Sequence, residues 1–494
     1  MKLPWSTPRV SPPDLMELVG SSGSRVHFMG VGGEGMSPLA EFMARKGICV
    51  SGCDLVDGPA LAALREKGVD VSVGHDPAHL EGVCALVVSS AIPPSQKELA
   101  RAGRRDIPVL KRAQALGSIV NSGELVAVSG THGKTTTTAL TAHVCAELGH
   151  DPTAFVGGWV PAWSGNLRLG GSDLFVVEAD EYDRSFHELT PDVAVVTNVE
   201  ADHLDTYGTA RGVRRAFATF LRGLKPGGTV IVCADDHGAS TLLARTEVKA
   251  ITYGLAAGSM VWAKNVYAST RGIRCTVMER GYRAGELGLG LSGYHNLRNA
   301  LAAATVARRL GSSWDDILEA LACFEGVKRR FEFVGEVGGA VFIDDYAHHP
   351  TEIRATLGAA RARFPDRRLV AVFQPHLYSR TRDFASSFGA SLSHADMVWI
   401  TGIYPAREPP IPGVTGEMVA TAAETAGHTD VRYTEEIDEM PTQLANELGS
   451  GDLLLTLGAG SIESLARKVL KRLEEVPAGA SVRRRRRFAG VYHA

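Results

Sequence analysis

The residues best suited to chemistry form one run, Ser129-Gly130-Thr131-His132-Gly133-Lys134-Thr135-Thr136. Two glycines let the backbone turn tightly and aim its N–H groups at an anion. Lys134 adds a point charge, and Thr135 a hydroxyl placed to bind Mg2+. The apolar run Leu125–Val128 precedes this loop and a helical pattern, Ala139–Leu148, follows it. Strand, glycine loop and helix in that order make a phosphate loop. Val128 stands where the long form of the pattern has its first glycine, but the short form is complete. ATP is the expected ligand, held by Gly130, Thr131, His132, Gly133, Lys134, Thr135 and Thr136.

Two acidic segments follow other strand-like runs: Glu178-Ala179-Asp180-Glu181 and Thr197-Asn198-Val199-Glu200-Ala201-Asp202-His203-Leu204-Asp205. Ligands bind at the carboxyl ends of parallel strands. Glu178 and His203 are therefore expected on the same rim as Lys134. A metal role suits His203 better than a base role, because no Gly-x-Ser-x-Gly nucleophile turn accompanies it.

A second glycine turn, Gly30-Val31-Gly32-Gly33-Glu34-Gly35, follows the run Arg25–Met29, with Asp54 about twenty residues further on. Read alone, it is a dinucleotide fingerprint and suggests an NAD-dependent oxidoreductase. The same turn can cradle any diphosphate, including that of a UDP-sugar. A dehydrogenase has no need of the phosphate loop. A P-loop ATPase driving motion, the third reading, has no need of the first turn. A diphosphate-bearing substrate used together with ATP accounts for both.

Three blocks of short β-branched runs alternating with helical stretches must position these residues, which predicts an α/β fold with mostly parallel sheets. The length of 494 residues agrees with about three domains. Breaks near Asn121-Ser122-Gly123 and Val334-Gly335 give the expected division. It comprises an extension (1–22), a Rossmann-like substrate domain (23–122), a central ATP domain (123–335), a Rossmann-like third domain (336–475) and a tail (476–494). The tail carries five arginines, 483–487, and is expected to be disordered.

Composition excludes several classes. Hydrophobic residues make up 45% and charged residues 22%, the balance of a globular protein. A net charge of −3 gives no global field toward nucleic acid or membrane. No apolar stretch approaches the ~20 residues of a membrane span, and the Pro-rich start lacks a secretory core. A cytoplasmic enzyme is expected, as a monomer or homodimer. The seven cysteines read as reduced thiols. Cys49 and Cys53 are four apart, but no second pair or histidine cluster accompanies them, so no zinc site is expected.

Taken together, the motifs resemble the Mur ligase family from about Arg25 to about Leu470. His27–Ser37 is similar to the family's UDP-binding turn, Gly130–Thr138 to its ATP loop, and the two acidic segments to its metal-binding segments. Gly293–Ala300 resembles the helix start that holds adenine, and Phe324–Phe331 the end of the central domain. Asp344–Glu352 and Phe373–His376 look like the site segments of the third domain.

The resemblance implies roles for single residues. Gly30, Gly32, Gly33, Gly35, Met36, Ser37, Asp54 and Ser90 would bind the UDP-substrate. His295, Asn296 and Asn299 would hold the adenine, and Arg330 would reach the phosphates. Thr135, Glu178 and His203 would bind Mg2+. Lys134, Arg330, His203, Asp345 and His348 would act in catalysis, and Tyr346, His376 and Arg380 would bind the amino acid. The implied reaction phosphorylates the lactyl carboxylate of UDP-N-acetylmuramate with ATP. The amine of L-alanine then displaces phosphate, with the third domain closing over ATP.

Two departures bear on this. Several family members carry a carbamylated lysine after the Asp-His-Leu-Asp segment, whereas Arg214–Phe220 contains none; this suits the alanine-adding branch. An arginine expected after His376 is replaced by Leu377, leaving Arg380 as the carboxylate-binding candidate. The nearest alternative is a recycling ligase that joins a murein peptide to the same sugar. Folate-polyglutamate and cyanophycin ligases share the ATP loop but leave the first glycine turn unexplained.

Overall fold

Apolar β-branched runs that end in glycine or aspartate form the central strands of three sheets. The computed structural model describes residues 14–20, 24–243, 248–406 and 408–475. Most of the extension and the whole basic tail 476–494 lie outside the described residues.

The first sheet is entirely parallel, in the order β3-β2-β1-β4-β5. Its strands are β1 (Arg25–Met29), β2 (Cys49–Asp54), β3 (Asp70–Val73), β4 (Val83–Val88) and β5 (Val109–Lys111). The order reverses between β1 and β4, and a ligand crevice opens at such a switch point. The Gly30–Gly35 turn leaves β1 there and enters the helix Ser37–Arg45.

The second sheet has ten strands, ordered β15-β14-β13-β12-β11-β10-β6-β9-β7-β8. From the centre to one edge stand β6 (Glu124–Ser129), β7 (Thr153–Val160), β8 (Gly165–Arg168, the edge strand), β9 (Leu174–Glu178) and β10 (Val193–Val196). Toward the other edge lie β11 (Thr229–Cys233), β12 (Lys249–Gly254), β13 (Val261–Ser269), β14 (Gly272–Glu279) and β15 (Tyr282–Leu289). Strand β6 lies between β9 and β10, parallel to both, so its glycine loop also leaves at a switch point. One apolar cluster runs through the first two sheets, where the Phe42 and Phe155 rings lie 5.6 Å apart.

The third sheet is ordered β16-β17-β21-β18-β19-β20. Its strands are β16 (Glu332–Val337), β17 (Ala340–Asp345), β18 (Arg368–Phe373), β19 (Met397–Thr401), β20 (Val431–Thr434) and β21 (Asp452–Leu457). All are parallel except β16, which pairs antiparallel with β17 through the Gly338-Gly339 turn. The break read near Val334-Gly335 therefore falls inside β16; its glycine sits at a register shift in the hairpin. Separate apolar clusters cover the two faces of this sheet.

By packing, the chain forms two compact units. The first runs to Val266 and takes in 275–288 and 298–325; the second comprises 267–274, 289–297 and the residues from Gly326 onward. Among the described residues, no helix is long and apolar enough to cross a membrane.

Candidate functional site

The phosphate loop is built on backbone that only glycine adopts. Gly130 has φ +142°, and a Cβ there would stand 1.9 Å from Thr197 Oγ1. Gly133 has φ +80° and caps the helix Lys134–Glu147; a Cβ on it would meet Asn299 Oδ1 at 2.8 Å. Asn198, on the neighbouring loop, clamps the turn. Its Oδ1 accepts from the His132 amide at 2.7 Å, and its Nδ2 donates to the His132 carbonyl at 2.9 Å. The Glu200 amide donates to Thr131 Oγ1 at 2.9 Å.

Lys134 Nζ donates to the Gly130 carbonyl at 2.8 Å and to Glu181 Oε2 at 2.7 Å. Burial alone would lower the lysine pKa. The carboxylates of Glu181, Asp180 and Glu178 outweigh it and hold the ammonium above its usual range. Burial pushes Glu181 up to about 7 against the pull of Lys134. His203 Nε2 lies 3.7 Å from Glu181 Oε1 and stands at φ +50°, an uncommon backbone for a non-glycine residue. Thr135 Oγ1 donates to Glu178 Oε1 at 3.1 Å, and the Gly157 amide donates to Glu178 Oε2 at 2.8 Å. The loop, both acidic segments and His203 thus converge. Buried Thr136 stands in the first turn of the same helix.

At the first glycine turn, Asp54 accepts from the Gly32 amide at 2.9 Å and from the Leu55 amide at 2.8 Å. It braces the turn. The Met36 side chain is buried in the apolar core, and its amide donates to the Gly33 carbonyl at 2.8 Å, which closes the turn. Ser37 opens the helix, and the N-terminus of a helix favours anions. Ser90 is exposed after β4, while Ser89 packs over Gly30.

In the second unit, the segment after β17 is folded around Asp345. This carboxylate accepts from the Phe331 amide at 2.7 Å and from the Ala347 amide at 2.8 Å. Burial raises its pKa to about 6 in spite of Arg330. The guanidinium of Arg330 lies 5.0 Å from the Tyr346 ring centre. His348 Nδ1 donates to the Tyr346 carbonyl at 3.0 Å, and its ring meets that of His376 at 5.8 Å. Burial pushes His348 down to about 3, so the imidazole is neutral near neutral pH. His349 is different: it caps the helix Pro350–Arg363 in a capping box with Glu352, a structural task.

Leu377 follows His376 at φ +68°, a conformation that costs a branched residue energy and that clusters at functional sites. It starts the helix Tyr378–Leu392, whose first turn carries buried Arg380. His295, Asn296 and Asn299 share the helix Tyr294–Arg309. Asn296 Nδ2 donates to the Ser292 carbonyl at 2.8 Å, and Asn299 sits against Gly133.

Motif reading gave three residues at these places no role of their own. Glu181 is the buried partner of Lys134, legible only as the last residue of an acidic segment. Asn198 stands near the start of the second acidic segment, between Thr197 and Val199. Arg112 heads the helix Arg112–Val120 and lies 2.9 Å from where a Cβ on Gly35 would stand, which puts a cation beside the first turn. It is some eighty residues from that turn, so no local pattern links them.

Comparison with known proteins agrees with the three-sheet division. Residues 25–123 match the Mur ligase family catalytic domain, 128–307 the Mur ligase middle domain and 329–460 the Mur ligase glutamate ligase domain. The chain is 43% identical to the UDP-N-acetylmuramate–L-alanine ligase of Salinibacter ruber, covering 91% of this chain and 95% of that one. Identity to the same-named protein of Rubrobacter xylanophilus is 43%, over 91% and 100%. Among solved structures, the UDP-N-acetylmuramate–alanine ligase of Thermotoga maritima gives a TM-score of 0.78 at 30% identity, covering 91% and 99%. A murein peptide ligase from Psychrobacter arcticus gives 0.69 at 25%, covering 92% and 100%.

Proposed function

This chain belongs to the Mur ligase family, with its three-domain α/β fold, and from that premise we propose that it joins L-alanine to the lactyl carboxylate of UDP-N-acetylmuramate, with ATP cleaved to ADP and phosphate. The observation that carries this reading is 43% identity, over 91% of the chain, to ligases named for that reaction. The intact phosphate loop supplies the means.

The reaction must first bring a carboxylate to a triphosphate. Like charges ~4 Å apart repel by about 4 kcal/mol per pair at an effective dielectric of ~20. Lys134 offsets part of this from the loop, and the family resemblance assigns Arg330, at the end of the central domain as the sequence divides it, to the same phosphates. The Thr135 hydroxyl and the Glu178 carboxylate, 3.1 Å apart, are hard oxygen donors that fit Mg2+. Bound there, Mg2+ would neutralise phosphate charge. Glu181 pairs with Lys134 and holds its ammonium, and His203 lies 3.7 Å from the other oxygen of Glu181. The Gly30–Gly35 turn, the start of the helix Ser37–Arg45 and Arg112 would hold the diphosphate of the UDP-sugar.

For the second step, His348 stands beside His376 and would position the attacking amine, since burial holds it too weakly basic to take the proton, and Asp345 fixes the loop that carries it. Arg380 would bind the alanine carboxylate. The direct test is phosphate release from ATP and UDP-N-acetylmuramate while the acceptor is varied. Release that depends on L-alanine supports the proposal. Release that depends on a murein peptide and not on alanine points instead to the recycling reaction of the Psychrobacter relative.

A further inference from the structure

Beneath the first glycine turn lies a group of side chains that the ligase reaction does not use. His27 stands on β1, and Cys53 on the adjacent strand β2, beside Met29 in register. His79 lies in the short turn Pro77–Leu80, and Glu98 in the first turn of the helix Lys97–Arg104. One ligand atom from each of the four lies within 4.8 Å of all the others.

The individual distances, 2.9–3.9 Å, bracket those a shared ion requires. His27 Nε2 is 3.3 Å from Cys53 Sγ, Cys53 Sγ is 3.7 and 3.9 Å from the Glu98 oxygens, and His79 Nδ1 is 2.9 Å from Glu98 Oε1. Tetrahedral coordination at zinc bond lengths places donors roughly 3.3–3.6 Å apart. His27, Cys53 and Glu98 are buried, and His79 is a fifth exposed at its side chain, which leaves an entry path. Outer partners also suit ligation. His27 Nδ1 bonds Ser51 Oγ at 2.9 Å, fixing the ring with Nε2 toward the cluster. His75 Nδ1 lies 3.1 Å from Cys53 Sγ and 3.5 Å from Glu98. Glu98 is wholly buried, and its neighbours at hydrogen-bond range are these histidines, the thiol and the Asp76 amide. A buried carboxylate in such a place calls for a positive charge.

We infer that His27, Cys53, His79 and Glu98 bind one divalent transition-metal ion of the zinc class. Thiolate, imidazole and carboxylate together select zinc-like ions over Mg2+. On binding, the Cys53 proton leaves to solvent and four donors from four separate elements become tied together. The ion would brace the turn above, because the Cys53 carbonyl accepts from the Gly30 and Val31 amides at 2.8 and 3.1 Å. The sequence gives no warning of this, since the four residues have no metal-binding spacing.

The test uses the full chain without an affinity tag, on a background of C49S and C323S that removes the two exposed thiols. Titration with Co2+ alone is expected to saturate at one equivalent, with a near-ultraviolet thiolate-to-cobalt band that Zn2+ abolishes. C53S should remove the band. H79Q, at the least buried ligand, should weaken binding roughly tenfold or more while far-ultraviolet circular dichroism is unchanged. The oxygen-lined site at Thr135 and Glu178 has no thiol and cannot give the band. Absence of stoichiometric Co2+ binding, or a band that survives in C53S, overturns the proposal and leaves a metal-free hydrogen-bonded network.

Discussion

Lys134 Nζ and Glu181 Oε2 lie 2.7 Å apart, with side-chain exposures of 13% and 3%. Glu181 thus occupies the counter-ion position that nucleotide phosphates would take over, and it must give way when they arrive. Removing one partner of a buried pair leaves the other charge uncompensated, at a cost of ~3–5 kcal/mol. Glu181→Ala is expected to destabilise the nucleotide-free protein by about 3 kcal/mol. ADP should raise the melting temperature of this variant more than that of the parent, because phosphate replaces the lost carboxylate. Equal shifts for both proteins in a thermal melt would remove the counter-ion argument.

Lys134→Ala addresses the chemical step. The ammonium is asked to stabilise charge on the transferring phosphoryl group, so its loss should lower kcat by about a thousandfold or more. The UDP-sugar turn is built on another sheet, and calorimetry should find UDP-N-acetylmuramate affinity within roughly twofold of the parent. A collapse of that affinity would mean that the two sites are not separable.

How far could this arrangement be read from the chain alone? The strands buried on both faces were legible, because they are short, mostly apolar runs: Arg25–Met29 and Val193–Val196 match β1 and β10 end to end. Strands β13 to β15 were not. They carry Lys264, Asn265, Arg274, Arg283 and Glu286 among apolar residues, as half-exposed strands do. β3 and β20 are four-residue edge strands without a fully buried position, too short for periodicity to register. Glycines with positive φ could be anticipated at the two turns, since phosphate recognition demands them. Glu181 and Asn198 lie in segments readable from the chain, but their pairing with Lys134 and His132 emerges only when separate segments meet, as does the place of Arg112. The histidine–cysteine cluster is the sharpest case: Cys53 looked isolated because its neighbours come from positions 27, 79 and 98.

Asp345 sets a pH dependence with a definite sign. Its folded pKa of about 6 lies above the ordinary 3.8, because burial disfavours the carboxylate. The folded state therefore binds a proton that the unfolded state has lost between these values. Stability from this group is fully present below about pH 3.8 and falls as pH rises through 6. The change amounts to roughly 3 kcal/mol across the window. Asp345→Asn should flatten this part of the curve in urea unfolding between about pH 4 and 7. An unchanged slope would show that Asp345 titrates near its ordinary value.

Discrimination among amino acids should be incomplete. A methyl group in a pocket separates two substrates by only ~1–3 kcal/mol. Glycine and serine are therefore expected to support phosphate release at high concentration, with kcat/KM reduced by about 10- to 200-fold relative to L-alanine. Complete rejection of both would call for a recognition device beyond a size limit.

The last prediction concerns the oxygen donors at the loop. Glu178 accepts from Thr135 Oγ1 through one oxygen and from the Gly157 amide through the other. A carboxylate fixed in this way is pre-oriented and needs little rearrangement to meet a cation. Glu178→Gln keeps the size and one acceptor oxygen but removes the charge. The Mg2+ concentration for half-maximal activity should then rise roughly tenfold or more. The affinity for UDP-N-acetylmuramate, measured without Mg2+, should stay as it was. Glu181→Gln is the control, because it removes an equal charge beside Lys134 and leaves the Thr135–Glu178 pair intact. If Glu178 is the ligand, the Mg2+ requirement shifts much more in E178Q than in E181Q. The reverse order would move the metal toward Glu181 and His203, and Thr135 would then be a helix-capping residue only.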